Sequence, residues 1–116
     1  MTIDELNRHI RSKESFLLAA DGEYIGKLST NKYDIDSVCN KYGRYGSIYG
    51  SKSIWNQYGH YGSKYSSLSP YNIYSINPPA IYLYGRLYGY LTCNQNKLGV
   101  KISPDHLIDW MIDNNL

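Results

Sequence analysis

The sequence predicts a mainly β domain: a pseudo-four-fold ring of short β-hairpins (petals) with a short α-helix at each end. Three observations carry that prediction. Residues 33–48, YDIDSVCNKYGRYGSI, align without a gap on 49–64, YGSKSIWNQYGHYGSK, with eight of sixteen positions identical. A third copy begins at Tyr65 and keeps Ser69, Asn72 and Tyr74 in register, after which Ser75, Asn77, Pro78 and Pro79 replace the turn phrase. A longer echo brackets the copies: DGEYIGKLSTN at 21–31 resembles YGRLYGYLTCN at 84–94, with Gly22/Gly85, Gly26/Gly89, Leu28/Leu91 and Asn31/Asn94 aligned. The offset of 63 residues is one short of four periods. A chain that turns a quarter circle per copy therefore brings the two outer segments side by side, closing a ring with few bare strand edges.

Each element follows from local chemistry. Thr2-Ile3-Asp4-Glu5 is a capping box, and Ile3, Leu6 and Ile10 recur at helical spacing, which predicts a helix over 3–13. Phe16 to Ala20 reads as an apolar strand, Asp21-Gly22 as a hairpin turn, and Tyr24 to Leu28 as the returning strand. Within a repeat, Ser53 to Tyr58 alternates in character and is rich in β-formers, and Ser63-Lys64-Tyr65 reads as a short partner strand. The intervening Gly59-His60-Tyr61-Gly62 suits a turn with positive φ. Each copy is thus expected to be a twisted hairpin too small to bury its own core, so that the copies share one. Pro78-Pro79 forces an extended link, and a second hairpin follows around Tyr84-Gly85-Arg86. Ser103 is a good N-cap with Pro104 at the first helical position, and Leu107, Ile108, Met111 and Ile112 carry an apolar stripe to about Asn114. The expected organisation is one domain: an N-terminal helix within 1–14, the repeat-built body at 15–102 and a C-terminal helix at 103–116.

Composition narrows the classes. The chain has 116 residues, 12 basic and 10 acidic groups and a net charge of +2, so a purely electrostatic nucleic-acid binder is not expected, nor is sequence-specific nucleic-acid recognition. No apolar run approaches the ~20 residues that span a bilayer, and Met1 is not followed by a charged-then-apolar leader, so neither a transmembrane segment nor Sec-type secretion is expected. Two cysteines, Cys39 and Cys93, are too few for a disulfide scaffold or a four-ligand zinc site and fit a reducing, cytoplasmic setting. Charge is uneven: residues 29–102 hold eight basic and two acidic groups, while the two ends together are net negative. Such a basic face with interleaved aromatics suits an anionic ligand, a lipid headgroup or single-stranded nucleic acid, and ordinary solvated lysines explain it equally.

Taken together, Tyr24-Ile25-Gly26-Lys27-Leu28, then Asn31-Lys32-Tyr33-Asp34 with Asp36-Ser37, then the N-x-Y-G-x-Y-G-S repeats, resemble the bacterial four-fold beta-flower family over about residues 16–94. The resemblance implies hairpin petals around a central, largely apolar channel, and no established activity. The chain departs from the pattern where its third copy lacks the Y-G-x-Y-G turn and where helices flank both ends.

Candidate functional residues come from the repeat columns. There are 14 tyrosines, and Tyr33/Tyr49/Tyr65, Tyr42/Tyr58/Tyr74 and Tyr45/Tyr61 stack in register. The expected site is an aromatic-lined centre holding a small apolar or amphipathic ligand, formed by Tyr42, Tyr58, Tyr74, Trp55, Tyr45 and Tyr61. Packing of a small core explains the same columns. Cys39, Trp55 and Tyr71 form a column of varying size, where the symmetry is broken either for a ligand or for jigsaw packing. His9, His60 and His106 lack metal spacing, and Asp34-x-Asp36 lacks the rest of a calcium loop, so no metal or cofactor is expected. With no G-x-S-x-G, P-loop or G-x-G-x-x-G, the chain is read as a non-catalytic binding domain. The alternative is a protein-interaction module, an inhibitor or immunity-type protein whose protein partner docks on the petals or the acidic C-terminal helix.

Overall fold

Two short hairpins lie side by side and seed the fold, as the computed structural model of residues 1–116 describes it. Strands β1 (Phe16–Leu18) and β2 (Tyr24–Lys27) form the first, β3 (Ala80–Leu83) and β4 (Arg86–Leu91) the second. Strand β1 pairs antiparallel with β3, Leu17 opposite Ile81, and a two-residue β5 (Lys101–Ile102) adds parallel to β4, for a sheet order β2-β1-β3-β4-β5. The two hairpins thus lie side by side through β1 and β3, while the echoing strands β2 and β4 stand apart in the sheet. Both turns use glycine in the left-handed region, Gly22 at φ 89° and Gly85 at φ 83°. The second is a two-residue turn in which Tyr84 also has positive φ, so Arg86 starts the strand rather than ending the turn.

Between β2 and β3 the chain does something other than the expected hairpins. No strand forms at Ser53–Tyr58 or Ser63–Tyr65; residues 31–77 are a continuous succession of tight turns. The backbone carbonyls of Asn31, Asp34, Ser37 and Asn40 each accept from the N–H three residues on, and the same pattern resumes at Ser47, Gly50, Ser53 and Asn56 and again at Ser63, Ser66, Ser69 and Asn72. At Gly43 the carbonyl accepts from both Gly46 and Ser47, and at Gly59 from both Gly62 and Ser63, which lengthens one step to four residues. Four three-residue steps and one four-residue step make the sixteen-residue period. The side chains enforce it: oxygens of Ser37, Asn40, Ser53, Asn56, Ser69 and Asn72 each accept the N–H two residues on, at 2.9–3.1 Å. A polar acceptor every third residue offers the backbone local partners that compete with a strand ladder, and here they win.

The asparagines act twice. While each Oδ1 closes its own turn, the Nδ2 of Asn40, Asn56 and Asn72 donates to the carbonyl six residues earlier, at 3.1, 3.0 and 3.1 Å. The repeat glycines are also not where positive φ is needed, since only Gly22, Gly26, Gly85 and Gly99 show it. Gly46 and Gly62 are required for a different reason: a Cβ there would run into the backbone of Asn40 or Asn56. The array ends where Pro78 has no N–H to give Ser75; Asn94 Nδ2 takes that carbonyl instead, at 2.8 Å.

The copies do share a core. Ser37, Ser53 and Ser69 are fully buried, as are Val38, Ile54 and Pro70 one step on. Val38 and Ile54 pack with Ile25 and Leu28 of the first hairpin segment, Ile81 and Leu91 of the second, and Leu107 and Met111 of the C-terminal helix. The shared core is therefore largely aliphatic, with Tyr61 as its one aromatic member. Helix α1 (Ile3–Arg11) is capped by Thr2, whose hydroxyl accepts from Glu5, and stops short of residue 13 because Lys13 turns to φ 55°. Ser103 caps a 3-10 turn, Pro104–His106, that leads into α2 (Leu107–Asp113). Thr30 ties down the chain end, its hydroxyl donating to the Leu116 carbonyl at 2.7 Å. No helix is long and apolar enough to cross a membrane.

Candidate functional site

The turn array buries two neighbouring residues about every eight, as at 37–38, 45–46, 53–54, 61–62 and 69–70, leaves most of the others facing outward, and between successive copies leaves hollows. Three neighbours have volumes of about 460, 620 and 420 Å³. Their walls follow the repeat. The middle hollow lies among Cys39, Lys41, Gly46, Ile48 and Trp55. Adding sixteen to each number gives Trp55, Gln57, Gly62, Lys64 and Tyr71, all of which wall the third. The first holds Lys32 and Cys39, one period before Ile48 and Trp55, together with Tyr33, Tyr42 and Lys41. Adjacent hollows share walls: Cys39, Lys41 and Tyr42 between the first and second, Ile48 and Trp55 between the second and third. The varying column Cys39/Trp55/Tyr71 thus runs along a trough.

Its central platform is held firmly. The Trp55 backbone N–H closes on Ser53 Oγ at 3.1 Å, and its indole N–H donates to the Val38 carbonyl at 2.8 Å. Val38 and Ile108 of α2 complete the middle hollow, the most apolar of the three, with Lys41 as its cation. Burial pushes the Cys39 thiol above its usual range, with the Ser37 hydroxyl opposing, so this sulfur is a wall and a poor nucleophile. Burial, then the field of Asp105, raises the Tyr71 phenol to about 12, so it stays neutral at physiological pH.

The six aromatic residues expected to converge separate into three groups. Tyr42, fully exposed, and the half-buried Trp55 both line the middle hollow. Tyr58 and Tyr74 stand in solvent, 97% and 83% exposed, and line none of the three hollows. Tyr45 and Tyr61 are buried, 7% and 8% exposed, and brace the array on the first hairpin: Tyr45 meets Tyr24 edge-on at 5.4 Å, and the Tyr61 hydroxyl donates to Asp21 at 2.7 Å. Burial and that carboxylate hold the Tyr61 phenol well above its usual range. The aromatic lining of the hollows is therefore on the outside of the array, while Tyr45 and Tyr61 are buried beside a largely aliphatic core. Lys41, Ile48, Lys64 and Ile108 are lining residues that the sequence reading did not single out. Their sign was present in the first two columns, where Lys41 pairs with Gln57 and Ile48 with Lys64.

Other candidate chemistry is absorbed by structure. Asp34 pairs with Lys27 at 2.7 Å and takes the Asp36 N–H at 3.0 Å, which holds its carboxyl below the usual range. No three His, Cys, Asp or Glu side chains gather to hold a metal ion. The chain matches no protein-family model, no curated protein and no solved structure.

Proposed function

We propose that this is a non-catalytic binding domain whose middle hollow takes a small amphipathic ligand, a flat apolar body with one acidic group. The observation that carries the reading is that the hydrogen-bonded Trp55 and the exposed Tyr42 line one open hollow that also presents Ile48, Ile108 and a single cation, Lys41. Flat apolar surfaces suit a flat ligand, and one lysine among apolar walls suits one negative charge. The side-by-side hairpins and the core shared by successive copies support, as part of the same proposal, the pseudo-four-fold arrangement of the beta-flower family.

A thirteen-atom probe such as 1-naphthoate, at about 0.3 kcal/mol per heavy atom, is expected to bind with a Kd of about 1 mM, followed by amide NMR shifts. Naphthalene methyl ketone, lacking the charge, should bind more weakly to the wild type and equally to K41Q. W55A should weaken both probes about tenfold. Shifts that avoid residues 38–55, or that survive W55A undiminished in a folded protein, would refute the assignment.

A further inference from the structure

We propose that the three hollows together form a trough for single-stranded nucleic acid, bound without sequence preference at about one nucleotide per hollow. The inference deepens the reading above, since it uses the same middle hollow as its central subsite.

The second and third hollows correspond through the repeat, and the first matches them in part. Subsites related by a sixteen-residue period suit a ligand that is itself periodic, and a small molecule would use only one of them. Each hollow presents at least one cation: Lys32 and Lys41 in the first, Lys41 in the second, Lys64 in the third. Each also presents aromatic surface: Tyr33 and Tyr42, then Tyr42 and Trp55, then Trp55 and Tyr71. Each hollow offers a lysine and a flat face, the lysines coming from two different repeat columns (Lys32 and Lys64 in one, Lys41 in the other). This is the chemistry of a nucleotide strand, whose bases stack on aromatic rings and whose phosphates meet lysine. No carboxylate lines any of the three hollows. Residues 37–104 contain seven basic side chains and no acidic one, so the modest overall charge conceals a locally cationic array. The carboxylate whose field reaches the trough is Asp105, which helps raise the Tyr71 phenol at the third hollow. Duplex DNA does not fit the same scheme, because its bases are already stacked and cannot reach Trp55.

The test is fluorescence anisotropy with 5′-labelled dT2, dT4 and dT10, a ten-base-pair duplex, and a sulfated polysaccharide as competitor. Affinity should rise from dT2 to dT4, then change little per binding site on dT10, and exceed that for the duplex. With three lysines engaged, the slope of log K against log salt should be about −2, and K41Q or K64Q should each reduce it by about 0.7. W55A should weaken dT10 about tenfold, while W55F, which keeps a flat ring over the core, retains most binding. D105N should tighten dT10 a few-fold. No dT10 binding at 100 µM protein, or equal binding of duplex and sulfated polysaccharide with no loss in W55A, overturns the proposal. If dT10 fails while 1-naphthoate still binds in a Trp55-dependent way, this inference alone falls. If both fail, the small-ligand reading falls with it.

Discussion

Replacing Gly62 by Ala tests how the turn array is built. A Cβ at Gly62 would press on the Asn56 carbonyl and lie 2.7 Å from the Ile54 carbonyl oxygen and 2.8 Å from the Asn56 carbonyl carbon, all of them backbone. Ordinary contacts exceed these by roughly half an ångström or more, so one turn must shift against another. Overpacking of this kind costs about 1–3 kcal/mol, of which about 0.5 is offset by the smaller entropy of the unfolded chain. A net loss of about 2 kcal/mol, with an unfolding entropy of about 0.24 kcal/mol/K for a chain of this length, lowers Tm by about 8 °C. Gly59 is the control. Its added Cβ would meet only the Asn56 side chain, at 3.1 Å from Nδ2, so G59A should stay within about 1 kcal/mol of wild type, or about 4 °C. Calorimetric melts of the two variants, with urea titrations to confirm unchanged m-values, decide the matter. Equal losses in G59A and G62A, or none in either, would refute the close-packed turn mechanism.

Further predictions address the side chains that close the turns. S53A orphans the Trp55 N–H beside a fully buried position and should cost about 1–2 kcal/mol in urea unfolding. N56D keeps the acceptor for Tyr58 but loses the donor to the Gly50 carbonyl, with an expected cost of about 1–2 kcal/mol at pH 7. That cost should shrink on acidification, because the facing carbonyl raises the introduced carboxyl in the folded state and its protonated form can donate again. Y61F removes the hydrogen bond that pins the second copy to Asp21 and should destabilise by about 1–2 kcal/mol. The Tyr71 phenol moves from 10.0 to about 12 in the fold, so its stabilisation is complete below pH 10 and is lost as pH rises from 10 through about 12. Y71F should therefore flatten the alkaline decline of Tm in that window while leaving the neutral value nearly unchanged.

Local chemistry was legible where a residue acts on its immediate neighbours. Thr2 and Ser103 announced their caps, and Asp21-Gly22 and Tyr84-Gly85 announced turns whose glycines do take positive φ. The Asn31/Asn94 pairing in the bracketing echo was sound as well: both asparagines accept the N–H two residues on, at 3.0 Å each. The inside of the repeat departs from the expected hairpin because Ser-Ile-Trp-Asn-Gln-Tyr satisfies a two-residue alternation and a three-residue polar beat at once. The beat prevails because each Ser or Asn finds a hydrogen-bond partner two residues away before any strand is available to pair with it.

The sequence alone determined the period, the outer hairpins, the caps at Thr2 and Ser103 and the existence of a column that varies while its neighbours repeat. Only the tertiary structure decided which way each column faces. Tyr42, Tyr45 and Tyr58 come from the same repeated phrase, yet Tyr45 is buried against Tyr24 while Tyr42 and Tyr58 stand in solvent, Tyr42 at the rim of a hollow. A turn array advances three or four residues at a step, so inside and outside are set by where the four-residue step falls and by what the hairpins and α2 bring to the core. Those contacts join residues dozens of positions apart, and no local pattern encodes them.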